Sequence, residues 1–237
     1  MKNLMDLHCH TLSCGHAYST ARENILEAKD KGLKVLGLSE HGYGMSRMIS
    51  PIYFLNQKVI PDYIEGVRIL KGIEANIIDY DGNIAEQEIL KHMDYCIASL
   101  HKPCIKPGSK IDNTMAVIGA INNPCVSIIG HLDDSYYPVD YRQIVKELKY
   151  HNVCIELNNS SLRPTSFRLN ARENYLVLLE LCAIEGINII MSSDAHFYKC
   201  VGDLTEAMDL LKEIDFPDEL VVNYDIDKLQ LILNTKI

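Results

Sequence analysis

The 237-residue sequence predicts a single α/β domain, a TIM-like parallel barrel of seven βα units. Three observations carry this. Short apolar runs alternate with segments of helical periodicity along the whole chain. Most of those runs are apolar throughout rather than at every second position, as strands buried on both faces are. Nearly every run also ends in a histidine or a carboxylate, and a parallel barrel gathers such strand ends on one face. An open, doubly wound sheet and a split into two small domains are the alternatives that the length and the alternation allow.

The predicted strands are Leu4–His8, Val35–Ser39, Arg68–Ile73, Tyr95–Ser99, Ser127–Gly130, Val153–Leu157 and Ile187–Ser192. Between them, Thr20–Lys31 opens with a capping box, Thr20 to Glu23, and stops at Gly32. Asp140–Tyr150 and Asn170–Glu185 carry apolar residues at helical spacing, the second ending at Gly186. Asp203–Glu213 and Asp225–Leu233 complete the chain, and Ala85–Lys91 and Asn113–Ile121 are fainter helical patterns. No linker, low-complexity segment or internal repeat interrupts this order.

Composition narrows the function. Apolar residues make up 47%, enough for a packed core and against disorder. No apolar run reaches the roughly 18 residues that span a bilayer, and the N-terminus shows no apolar signal region. The expected location is therefore the cytoplasm, with no membrane partner. The eight cysteines form no Cys-x-x-Cys pair and mostly sit in apolar runs, which reads as buried reduced thiols. Cys9 and Cys14 alone lie among polar, ligand-type residues. The formal charge of −9 disfavours long nucleic acid as a partner. Three bound divalent ions would bring it to about −3, compatible with a small anionic substrate.

The strand ends carry the chemistry. They read LHCHT, LSEHG, GIEAN, ASLHK, IIGHL and SSDAH, and seven of the nine histidines lie on them or in the first loop. His8 and His10, like Asp194 and His196, are two residues apart, so each pair points to one side of a strand about 6.6 Å apart. Cys9 then points the other way, into packing. A single strand-end histidine is more often packed than ligating, but seven such placements by accident are improbable. His92 and His151 follow helical stretches and suit a helix C-terminus instead. The candidate ligands are His8, His10, His16, His41, Glu74, His101, His131, Asp194 and His196. Imidazole with carboxylate suits zinc, and also manganese or iron. One catalytic ion needs about three protein ligands, so nine donors imply two or three ions, with Glu74 as the natural bridge.

Other motifs are absent or weak. There is no Gly-x-Ser-x-Gly elbow, no Gly-x-Gly-x-x-Gly and no P-loop. The polar stretch Glu156–Ser161 follows a buried strand, so Asn158, Asn159 and Ser160 are candidates for substrate contact, with a capped loop as the equal alternative. Arg22, Lys102 and Arg163 are the cations nearest the expected mouth.

Taken together, DLHCHT, His16, SEHG, GIEAN, the His101 and His131 strand ends and SSDAH resemble the PHP family, named for polymerase and histidinol phosphatase domains. The resemblance covers essentially the whole chain and is greatest to small stand-alone bacterial phosphatases. It implies a distorted (β/α)7 barrel holding a trinuclear centre, usually of zinc, and a homo-oligomer, a trimer. Position by position, it implies that His8, His10, Glu74 and Asp194 hold one ion. Glu74, His101 and His131 would hold a second, and His16, His41 and His196 a third. The activity it implies is hydrolysis of a small phosphomonoester by a metal-bound hydroxide, with no protein acid or base assigned. The chain departs from similar proteins after His131, where Leu132, Asp133, Asp134 and Ser135 replace a Pro-Gly pair. Two added carboxylates there would disfavour a phosphate near that rim. Rival readings are a phosphodiesterase on short nucleic acid, a histidinol phosphatase, an amidohydrolase-type C–N hydrolase and a non-catalytic metal-binding domain.

Overall fold

Each apolar run becomes a buried strand, and the strands pair in chain order. The computed structural model describes residues 1–45 and 49–233. Seven strands run parallel: β1 (Met5–Asp6), β2 (Val35–Leu38), β4 (Val67–Asn76), β5 (Tyr95–Ser99), β6 (Ile128–Ile129), β7 (Cys154–Asn158) and β8 (Ile189–Ser192). The ring is nearly closed between its first and last strands by the parallel bridge Cys9–Ala195. There the His10 N–H donates to the Ala195 carbonyl at 2.9 Å. The Asp6 carboxylate reinforces the seam, accepting from the Ser193 N–H at 3.1 Å and the Gly202 N–H at 2.7 Å.

Two ladders are shorter than the apolar runs. Beyond Asp6, a side chain enters the ladder: the Cys9 N–H donates to Ser39 Oγ at 3.0 Å, while the Ser39 N–H donates to the Cys9 carbonyl at 3.2 Å. One strand was not expected: β3 (Tyr63–Ile64) folds back antiparallel on the start of β4. Glu65 (φ 53°) and Gly66 (φ 80°) make that turn, both left-handed as a tight hairpin requires.

Nine helices are present among the described residues, mostly on the barrel's outside. They are α1 (Ala21–Asp30), α2 (Pro51–Leu55), α3 (Gln87–Leu90), α4 (Lys110–Ile121), α5 (Tyr141–Leu148), α6 (Asn159–Leu162), α7 (Ala171–Glu185), α8 (Thr205–Glu213) and α9 (Ile226–Leu233). The predicted capping box starts α1: the Glu23 N–H donates to Thr20 Oγ1 at 3.2 Å, and the Thr20 N–H to Glu23 Oε2 at 2.7 Å. A second box, Ser109 with Asp112, starts α4 three residues earlier than its apolar spacing shows. No described helix is long and apolar enough to cross a membrane.

The barrel interior is layered. Leu7, Leu70, Tyr95, Ile97, Ile128, Cys154 and Ile190 form an apolar plug toward the N-terminal ends of the strands. The Tyr95 ring crosses this plug and its hydroxyl donates to the Leu7 carbonyl at 2.5 Å. Gly37 and Gly72 make room for that ring, since a β-carbon at either would overlap it. Because strand residues alternate faces, the next inward positions along β4, β7 and β8 are Glu74, Glu156 and Ser192. The outward residues Ile73, Ala75, Ile155 and Leu157 pack with Tyr175, Leu178 and Leu179 of α7 in the larger core. The polar layer thus sits directly above the plug, at the carboxyl ends of the strands.

Candidate metal centre

The nine predicted ligands converge on this layer. His8, His10 and Glu74 are fully buried, and His41, His101, His131 and Asp194 are less than a tenth exposed. His196 is half-buried and His16 is exposed at the rim. Ring centroids of His10 lie 4.2 Å from His41 and 4.4 Å from His196, and His16 lies 5.0 Å and 4.8 Å from the same two. Donor atoms within 4.8 Å of one another include three sets: His8, His10 and Asp194; His10, His41 and His196; His41, Glu74 and His101.

Glu74 is at the middle, and its two oxygens face different partners. Oε1 is 2.8 Å from His131 Nε2 and 3.1 Å from His101 Nε2. Oε2 is 2.6 Å from His41 Nδ1, 3.3 Å from His8 Nε2 and 3.6 Å from His10 Nε2. Burial opposes ionisation of this carboxyl. The imidazoles of His101, His41 and His8 outweigh that and hold its pKa well below the usual range. Asp194 behaves likewise: burial raises it, but His8 and His10 pull it well below. For His8, burial disfavours the cation, yet Glu156, Glu74 and Asp194 together raise its pKa well above the ordinary value.

Whether these residues suit cations can be judged from unpaired atoms. His8 Nε2, His10 Nδ1, His41 Nδ1 and Glu74 Oε2 are buried and make no aligned hydrogen bond, the last two facing each other at 2.6 Å as an ion pair. Buried polar groups are normally satisfied, so orphaned donor atoms around one point fit bound ions. The set is nitrogen and oxygen, in the proportion that suits zinc and its neighbours.

A second tier of side chains aims the imidazoles. His8 Nδ1 is 2.6 Å from Glu156 Oε1, so its Nε2 turns to the centre. Glu156 is held in turn by the Ser192 hydroxyl, the His131 N–H at 2.6 Å and Asn158 Nδ2 at 3.2 Å. His101 Nδ1 is 2.8 Å from Asn76 Oδ1, and Asn76 Nδ2 donates to Glu86 at 2.8 Å. His131 (φ 25°) and Asp194 (φ 50°) adopt left-handed backbone, which is unfavourable for residues other than glycine. Both sit where the chain leaves a strand, and both turn a ligand-type side chain inward.

The other candidates fall in different places. Asn158 caps α6, accepting from the Ser161 N–H at 3.0 Å, and its amide donates to Asp194 at 3.1 Å. Asn159 is buried against α8, accepting from the Ala207 N–H at 2.9 Å. Ser160 lines the open cavity of about 480 Å³ above the centre. Lys102 is exposed, its Nζ 4.1 Å from the centre of the Tyr136 ring, on a smaller adjoining cavity of about 140 Å³. Arg22 is exposed on α1 and borders neither cavity. Arg163 pairs with Asp203 at 2.7 Å. After His131, the Asp133 carboxylate is fully buried and accepts from the Ser161 hydroxyl at 3.1 Å. Asp134 accepts from the Tyr136 and Leu169 N–H groups. The charge of Asp133 is thus turned under the rim.

Sequence reading passed over three residues. Glu156 had a signal, since it lies two positions before Asn158 on a strand and must share its face. Glu86 reaches the centre only through Asn76 and had none. Arg168 sits in the loop before α7, and its Nη2 is 3.2 Å from Asp194 Oδ2. Its guanidinium borders both cavities, and nothing in the local pattern marked it.

Comparison with known proteins accords with this architecture. A probable phosphatase of Clostridium novyi (strain NT) is 42% identical over 237 residues, covering 100% of this chain and 96% of the relative. A probable phosphatase of Caldicellulosiruptor saccharolyticus is 42% identical over 224 residues, or 94% and 92% of the two chains. The solved histidinol phosphate phosphatase of Lactococcus lactis subsp. lactis, complexed with zinc, L-histidinol and phosphate, has the same fold. Its TM-score is 0.64 at 18% identity, covering 91% of this chain and 95% of its own. The model of the PHP domain matches residues 6–160. This chain belongs to the PHP domain family.

Proposed function

We propose that this chain is a phosphatase: a hydrolase that cleaves a small phosphomonoester at a centre of three divalent ions, zinc by preference. The observation that carries this is the split of Glu74, with one oxygen toward His101 and His131 and the other toward His41, His8 and His10. Glu74 would bridge two ions, His8, His10 and Asp194 completing one set and His101 and His131 the other. His16, His41 and His196 would hold the third ion at the rim. When bound, such ions lower the pKa of water from 15.7 to about 7 and offset charge on a phosphoryl group.

The chain's own residues do the rest. The floor of the larger cavity is formed by His16, His41, His101, His131, Asp194 and His196. Its wall presents Arg168 with Ser160, Thr165 and Ser166. A guanidinium has five donors in a planar fork that matches phosphate oxygens, and Arg168 commits one edge to Asp194. Arg168 would therefore orient the phosphoryl group over the floor. The smaller cavity, lined by Leu100, Pro103, Leu132, Tyr137 and Phe167, would take the leaving group, with Lys102 at its edge. The relatives' description as probable phosphatases supports the same reading, as do the phosphate and zinc in the L. lactis structure.

A C–N hydrolase with a bridging modified lysine is disfavoured, because Lys71 points to Asp62 rather than into the barrel. A cytoplasmic location fits eight cysteines that form no disulfide among the described residues. The trimer is testable by light scattering. The deciding experiment strips the metals, restores zinc, manganese or iron separately, and assays a phosphomonoester, a phosphodiester and an amide in parallel. Phosphomonoester turnover restored by metal is expected. Turnover of the amide alone would overturn the proposal.

A further inference from the structure

We propose that Cys14 supplies a thiolate ligand to the ion at the rim of this centre, joining His16 and His196. The inference rests on the metal centre proposed above and adds a donor that the histidine-carboxylate set lacks. Thr11 caps the short 3₁₀ turn Leu12–Cys14, accepting from the Ser13 N–H at 3.2 Å, and Gly15 (φ 86°) reverses the chain after it. That turn leaves Leu12 half exposed and sends Cys14 inward, where it is 3% exposed.

The Cys14 sulfur lies within 4.8 Å of ligand atoms of both His16 and His196. It also lies within 4.8 Å of ligand atoms of His10 and Glu40. In those two residues an atom of the right kind is buried and unpartnered: His10 Nδ1 and Glu40 Oε2. Both side chains are fully buried. Their orphaned atoms are an observation independent of the cysteine, and they point to a ligand in this corner.

Cys9 provides an internal contrast. It is equally buried and near the same residues, but its thiol donates to the Gly37 carbonyl at 3.1 Å and packs with Ile25, Ala28 and Leu36. It is a core thiol. Among the described residues, no cysteine other than Cys14 shares a cluster of metal-ligand atoms. Binding there would break the Cys14 S–H bond, form a sulfur–metal bond and release one proton to solvent. A thiolate also biases the rim site toward zinc over manganese.

The test uses cobalt(II) as the probe on the metal-stripped full chain. Thiolate-to-cobalt charge-transfer absorption should appear in the near ultraviolet as cobalt binds. Cys14→Ser should abolish that band and weaken zinc at one site by roughly tenfold or more. Cys9→Ser should retain the band. Full cobalt loading of the unmodified chain with no sulfur band overturns the role of Cys14 and leaves the centre standing. A band that survives Cys14→Ser overturns it as well. Failure of the unmodified chain to take up cobalt at all overturns the centre, and this inference with it.

Discussion

Replacing Glu74 by glutamine tests the centre at its middle. The substitution keeps the side chain's shape and removes one negative charge. In the structure that charge lies within 3.6 Å of five imidazoles, with Oε1 serving His101 and His131 and Oε2 serving His41, His8 and His10. Altering a residue that merely supports a ligand weakens metal affinity by about 10–100-fold. A bridging ligand should cost at least that at each of two ions, so about 1.4–2.7 kcal/mol per ion. The variant should therefore leave a desalting column with about one ion per chain, against the three expected of the unmodified protein. Phosphomonoester turnover should drop by about 10²–10³-fold or more. Elemental analysis beside protein quantitation reads the metal content. Glu156→Gln is the comparison for a supporting residue, since Glu156 holds His8 Nδ1 and the His131 N–H from behind, and it should weaken affinity by about 10–100-fold without removing a bridge. Retention of all three ions by Glu74→Gln would refute the bridge. Loss of a single ion would refute the division of its two oxygens.

Four further outcomes are expected. Arg168→Ala should raise KM for a phosphomonoester, and the inhibition constant for inorganic phosphate, by roughly 10–100-fold, the worth of a charged hydrogen bond; unchanged phosphate inhibition would remove Arg168 from substrate binding. In the metal-free protein, burial raises the Glu40 pKa from 4.5 to about 7. The folded state then holds an extra proton between those values, so the contribution of Glu40 to stability is fully present below pH 4.5 and is lost as pH rises through 7, by on the order of 3 kcal/mol. Melting at pH 5 and pH 8 should show that loss in the unmodified chain and a flatter profile in Glu40→Gln, whose Oε1 can still accept from the Thr11 N–H; equal slopes would contradict it. Tyr95→Phe leaves the Leu7 carbonyl unpaired inside the plug, costing about 1–3 kcal/mol and lowering Tm by several degrees without changing metal content. Chelation should lower Tm and abolish turnover together, and zinc should restore both; a melting point indifferent to chelator would mean the ligands are not coupled to folding.

Much of this was legible from the sequence because its signals are local. Buried parallel strands announce themselves as apolar runs, and the first polar residue after each run marks the catalytic face. His8 and His10, or Asp194 and His196, need no tertiary information to be placed side by side. The capping box at Thr20 and Glu23 is equally self-contained. What stayed hidden depends on distant partners. The hairpin strand β3 exists because Glu65 and Gly66 turn it onto β4, and its two residues carry no periodicity of their own. Helix α6 begins at once after β7 because Asn158 caps it, so the polar run after Glu156 serves as a cap and a support as well as a cavity wall. Arg168 enters the site through a loop whose path is set by Asp134 accepting from the Leu169 N–H. The first of the two aspartates after His131 shows the same limit, while Asp134 stays on the lining of the smaller cavity. Composition places negative charge at the rim, but burial under Ser161 turns Asp133 away from it.

The cost of this arrangement explains its position. Glu74, Asp194 and Glu156 all have pKa values held below the usual range although each is buried, which happens only because imidazoles crowd them. Buried ion pairs of this kind offset their own desolvation at best. His131 and Asp194 add backbone strain of order 1–3 kcal/mol each. Such a layer persists only where the surroundings determine it completely. The apolar plug of Leu70, Tyr95, Ile97 and Ile190 lies immediately beneath, and seven strand ends fix the spacing above it. The plug and the outer core supply stability that the polar layer does not. The rim is the exception. His16 and Cys14 come from the loop after β1 rather than from a strand, so the outermost ion would be held by the least constrained part of the ring. That is where a sulfur ligand, stronger for zinc than an added imidazole, would contribute most.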